Sequence, residues 1–131
     1  MRGFVDDIEA LTESNRAFRR VLYTGNNLQL VLMAIEPGDE IGEEIHEDRD
    51  QFFRVEAGEG EVLIDGVVHN VTAGYGIIVP QGARHNVRSI GAEALKIYTI
   101  YGPPEHVDAT VHHSRSEALT HHEHFDGRTT E

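Results

Sequence analysis

The chain has 131 residues, enough for one domain and too few for a second core of ordinary size. Hydrophobic residues make up 39% and charged residues 26%, ordinary globular usage that argues against wholesale disorder and against a membrane-embedded fold. Eleven Lys and Arg against 23 Asp and Glu give a formal charge of -12, so the basic footprint of a nucleic-acid or anionic-lipid binder is absent, and the lack of cysteine removes disulfides, thiolate metal sites and thiol nucleophiles.

The first nine residues lack the apolar run of an export signal, and no segment approaches the ~20 apolar residues of a membrane span; a cytoplasmic protein without membrane contact is expected. Asp6 to Asn15 places Ile8, Ala10 and Leu11 among acids, which predicts a short helix within an N-terminal segment, residues 1–17. From residue 18 the texture changes to short runs of Val, Ile, Leu, Phe and Tyr broken by Gly, Asn and Asp. These runs predict strands over 19–23, 28–35, 40–46, 51–57, 61–64, 67–71, 76–79, 85–90 and 95–101. Asp65-Gly66 between two apolar runs is a two-residue hairpin signal, because both turn positions require positive φ. Many short strands with regular turns predict an all-β sandwich or barrel over residues 18–104. Gly102-Pro103-Pro104 ends the pattern. Residues 105–131 read as a polar, His-rich tail, helical over 114–119 or in part disordered, either wrapped on the surface or free in solvent.

Nine histidines in a chain without cysteine direct attention to metal ligation, although five of them, at positions 112, 113, 121, 122 and 124, lie late in the tail, where a solvated polar segment is the simpler reading. Glu44-Ile45-His46 is more informative, because side chains two apart in a strand share a face, so a carboxylate and an imidazole project together. Gln51 opens the following strand and His85 a later one. If those strands adjoin, four donors converge, and two imidazoles with one carboxylate match the set used by non-haem iron and suit Mn(II) as well.

Two spaced motifs carry a resemblance. Gly38, Glu44, His46, Gln51 and Gly58, separated by five, one, four and six residues, are similar to the first motif of the cupin superfamily. Gly74, Pro80, Gly82, His85 and Ser89, separated by five, one, two and three, are similar to the second. The resemblance implies a small single-domain cupin, an RmlC-like jelly roll or double-stranded β-helix. It implies in addition a homodimer and a divalent ion, Mn, Fe, Zn or Ni, held inside by Glu44, His46, Gln51 and His85. The family most often has His, His, Glu and His at these positions. Here the carboxylate stands first and an amide replaces the usual Glu, so the ligand charge is unchanged and Gln51 serves as a ligand or as a hydrogen-bonding neighbour. Ser89 replaces the usual final Asn.

Against metal binding stands the acidic stretch Glu36 to Asp50, with eight carboxylates, which otherwise reads as a solvated hairpin. An alternative register would take His46, Asp48 and Asp50. His69 is read as a satisfied structural histidine opposite Val62, His106 as a cap on the barrel mouth or a surface residue, and Phe53 as a wall of the substrate pocket. No phosphate-cradling Gly-rich loop and no serine-hydrolase elbow occurs. The remaining functional readings are a metal-dependent enzyme for a small organic molecule, by dioxygenase, isomerase or lyase chemistry, and a non-catalytic small-ligand binder or sensor. The acidic balance argues against a phosphorylated, sugar-phosphate-isomerase-like substrate unless Arg84 or Arg88 offsets it locally.

Overall fold

The computed structural model describes all residues, Met1–Glu131. A two-turn helix, α1 (Ile8–Ser14), starts where the Asp7 carboxylate accepts from the Ala10 N–H, and is followed by β1 (Arg19–Thr24), β2 (Gln29–Ile35), β3 (Glu44–Ile45), β4 (Asp50–Ala57) and β5 (Gly60–Ile64). Next come β6 (Val67–Val71), β7 (Gly76–Val79), β8 (Arg84–Ser89), β9 (Leu95–Gly102), β10 (Val111–His112) and a short helix α2 (Arg115–Thr120). The strands form two antiparallel sheets, ordered β10-β1-β2-β9-β4-β7 and β3-β8-β5-β6, the all-β sandwich that the strand and turn pattern predicts and the jelly roll that the resemblance implies.

Alternation places Val31, Met33 and Ile35 of β2, Phe53 and Val55 of β4, Val62 of β5, Val87 of β8 and Leu95 and Ile97 of β9 in one core cluster between the sheets. The intervening residues of β2, Leu30, Leu32 and Ala34, are buried too, because α1 packs over β2, β4 and β9. Asp65 and Gly66 both take positive φ, 45° and 84°, and the hairpin they make fixes Val62 opposite His69.

Gly58 follows β4 at a φ of +88°, and a Cβ added there would lie 2.6 Å from the Ala94 carbonyl oxygen. Left-handed strain and a backbone clash act together, so Gly58→Ala is expected to cost about 3 kcal/mol. Chemical denaturation reads this as a lowered midpoint with an unchanged slope.

Two expectations change, and one of the two readings of the tail is selected. The strand foreseen over 40–46 shrinks to two residues, with Glu40 bridging Arg88 separately, because Gly42 sits at φ +104° and its N–H bonds the Asn86 side chain instead of a ladder carbonyl. His69 is exposed on the edge strand β6 and has no hydrogen-bond partner, so it is not a satisfied core histidine. The tail is ordered as a wrap. Fully buried Gln29 accepts from the N–H groups of Glu105 (3.2 Å) and His106 (2.9 Å) and donates to the His106 carbonyl at 2.8 Å, while Thr130 bonds Thr24 and Asp108.

Candidate metal centre

The register of the β3–β8 pair sets Glu44 directly opposite His85, so their side chains share a face, and His46, two residues on, projects to the same side. The loop before β8 is tied to this strand as well, since the Gly82 N–H donates to the His46 carbonyl at 2.8 Å. One ligand atom from each of Glu44, His46 and His85 lies within 4.8 Å of the others. Glu44 Oε2 is 3.0 Å from His46 Nε2 and 4.0 Å from His85 Nε2, and the two imidazole centroids are 5.3 Å apart.

The protonation of His85 follows from its partners. Its Nδ1 lies 3.0 Å from the Ala83 carbonyl, which can only accept, so Nδ1 carries the hydrogen and a neutral ring presents a bare lone pair at Nε2. That atom is buried without a partner, on a side chain only 2% exposed. Gln51 stands on β4 in the facing sheet, opposite Tyr101 of β9; its Nε2 donates to Thr99 Oγ1 at 3.0 Å, and its Oε1 is likewise buried and unpartnered. Two orphaned acceptors, each costly to bury alone, fit a cation rather than an apolar core. The alternative set is not assembled: Asp48 pairs with Arg49, and Asp50 accepts from the Gln81 N–H. Phe53, 1% exposed, packs in the core cluster and does not line the cavity beside Glu44.

Burial opposes the charge on Glu44, but the hydrogen bond and charge of His46, aided by Arg19 and His85, outweigh it and hold the carboxyl below its ordinary value. For His46, burial disfavours the imidazolium, yet Glu44 and Glu105 more than compensate and its pKa is raised. Burial pushes the Tyr101 phenol well up, and its ring sits edge-on to His46 with centroids 5.9 Å apart.

Above the cluster lies a cavity of about 190 Å³ whose walls include Glu44, Arg19 and tail residues from Glu105 to His124. His106, 7% exposed, is one of the residues lining this cavity and does not lie on a surface loop open to solvent. Its Nδ1 donates to Glu123 at 2.7 Å, so Nε2 is left to accept from the Tyr101 hydroxyl at 3.4 Å, and Glu123 accepts from the Val107 N–H at 2.7 Å. Glu105 pairs with Arg49 at 2.7 Å and lies 3.8 Å from His46 Nδ1. Arg19, Tyr101, Glu105 and Glu123 are absent from the sequence reading. For Arg19 a signal existed, because it alternates onto the same buried face of β1 as Val21. Arg84 and Arg88 lie outside, paired with Glu43 and with Glu40 and Glu61.

The His106–Glu123 clasp is pH-sensitive. Burial, partly opposed by the Glu123 bond and reinforced by Arg19, lowers the His106 pKa; burial raises that of Glu123, but the His106 and Val107 bonds and Arg19 bring it below its ordinary value. Both folded-state pKa values are depressed, so the unfolded or undocked tail binds more protons and acid favours it. The His106 contribution fades below the ordinary histidine value of about 6.5, and that of Glu123 is lost as pH falls through its lowered carboxyl value. Amide-exchange protection factors over 105–131 are expected to fall between about pH 7 and about pH 5 while those of β2 hold. Tail protection that does not change would contradict this.

Comparison with known proteins gives one consistent result. The family model described as Cupin domain matches residues 31–101. The Bacillus subtilis (strain 168) protein YrkC is 40% identical over 124 residues, covering 90% of this chain and 67% of YrkC. A protein of Acanthamoeba polyphaga mimivirus is 37% identical over 107 residues, covering 79% of this chain and 67% of its own. A crystal structure of a Bacillus halodurans protein superposes with a TM-score of 0.90 at 45% identity, over 92% of this chain and 96% of that one. No helix is long and apolar enough to cross a membrane.

Proposed function

The chain belongs to the cupin family, and from that premise we propose that it is a metal-dependent enzyme acting on a small organic molecule within the jelly roll. The observation that carries this reading is the bare, buried Nε2 of His85, 4.0 Å from the Glu44 carboxylate and grouped with His46. Two imidazoles and a carboxylate, with the Gln51 amide oxygen as a fourth donor, fit Mn, Fe, Zn or Ni in the divalent state. Bound there, such an ion supplies Lewis acidity toward a carbonyl, enol or hydroxyl oxygen.

The chain's own residues supply the rest. Ala83 fixes the tautomer of His85, and Glu105, braced by Arg49, faces the far nitrogen of His46 and orients that ring. Tyr101, its phenol held protonated by burial, passes its hydrogen bond outward to His106 and Glu123, which line the cavity, a chain along which a proton can move. The docked tail forms a wall of the cavity on the Glu44 side of the cluster. Isomerase and lyase chemistry need only these groups and the ion, whereas dioxygenase chemistry needs O2 as a co-substrate.

Metal-stripped protein restored with each of the four metals and offered diketones, aromatic diols and sugar phosphates tests the proposal. Product that depends on the added metal is expected with at least one substrate class. Binding without product across the panel would instead favour the ligand-binding or sensor reading.

A further inference from the structure

Building on that reading, we infer that the ligand of the cavity is a small organic acid and that Arg19 holds its carboxylate. Arg19 opens β1 and is 8% exposed, yet it lines the 190 Å³ cavity that Glu44 also lines. Its single hydrogen bond is from Nη1 to His112 Nδ1 at 3.0 Å; a guanidinium cannot accept, so the imidazole does, and the pair is a cation on a neutral ring. Nε of Arg19 is buried with no partner, and no carboxylate lies within ion-pairing distance of the group.

The acids around the cavity are committed elsewhere. Glu44 bonds His46, Glu105 pairs with Arg49, and Glu123 clasps His106 and the Val107 N–H. A buried guanidinium whose donors the protein leaves largely unmet is costly unless an anion meets it, and the N–H donors not used by His112 suit a carboxylate. Arg115, with its own Nε buried and unpartnered and Nη1 3.7 Å from Asp39, lines the same cavity and adds to the positive side. The space equals about six water volumes, which suits an acid of about that many non-hydrogen atoms. The arginines that would have served a phosphate, Arg84 and Arg88, point away in surface ion pairs.

Pyruvate and butane-2,3-dione have the same number of non-hydrogen atoms and differ in replacing a carboxylate by a neutral acetyl group, so calorimetric titration with the pair isolates the charge. Wild-type protein loaded with zinc is expected to bind pyruvate about tenfold or more tighter than the dione. Arg19→Met should erase that preference and Arg19→Lys restore part of it, with zinc content equal in all three proteins. Pyruvate preferred equally by wild type and Arg19→Met would overturn the inference, since the carboxylate would then rest on the metal. No preference in the wild type would overturn it as well, and that comparison stands even if Arg19→Met does not fold. If the wild type carries no stoichiometric zinc but still prefers pyruvate through Arg19, the metal reading fails and the Arg19 assignment stands.

Discussion

Replacing His85 by Ala is expected to take bound divalent metal from stoichiometric to background while the jelly roll stays folded. The ring contributes one bond to the chain, from Nδ1 to the Ala83 carbonyl, and buries an Nε2 that nothing in the protein satisfies. Losing it therefore removes a ligand and also an orphaned polar atom, and the cavity left behind should cost roughly 2 kcal/mol. The loss of metal affinity should exceed the 10- to 100-fold, roughly, that removing an outer partner of a ligand produces. Glu44→Gln, which keeps an oxygen but not its charge, should fall between wild type and His85→Ala. Elemental analysis of protein never exposed to a nickel column reads the effect, a necessary precaution with His121, His122 and His124 in the tail. Equal metal content in wild type and His85→Ala would remove His85 from the site.

Gln29→Ala should be among the most damaging substitutions outside the core. The amide is fully buried and makes four bonds: to the N–H groups of Glu105 and His106, to the His106 carbonyl and to Thr24 Oγ1 at 2.9 Å. Truncation strands backbone groups that water does not reach, so a loss of about 3 kcal/mol is expected. The same change frees the segment that places His106, Glu123 and Glu105 around the cavity. Amide exchange over 105–131 should accelerate well beyond that of β2 or β9. A change below about 0.5 kcal/mol with the tail still protected would show that the wrap is held elsewhere.

The parts of this molecule legible in its sequence are those governed by local rules. Strand edges followed from turn chemistry, as with Asp65-Gly66, and the pairing of Glu44 with His46 followed from a spacing of two. What brings His85 to them is the β3–β8 register, a contact across 41 residues that alternation alone does not specify. The spaced motifs supplied that juxtaposition through resemblance. Arg19 was visible in principle as a charge on an apolar face, but a strand's first residue normally reaches solvent, and only the tail folded over it explains its burial. The tail has no apolar period to read. Its order comes from hydrogen bonds to Gln29 and Thr24, 77 and 106 residues away in sequence, which no local pattern announces.

The central claim is that one cation sits among Glu44, His46 and His85, and anomalous diffraction at the absorption edge of the metal found by elemental analysis tests it most directly. The account predicts a single strong peak at about 2.0–2.2 Å from one nitrogen of each ring and from a Glu44 oxygen. A peak confined to the tail histidines, or none within the jelly roll, would contradict it.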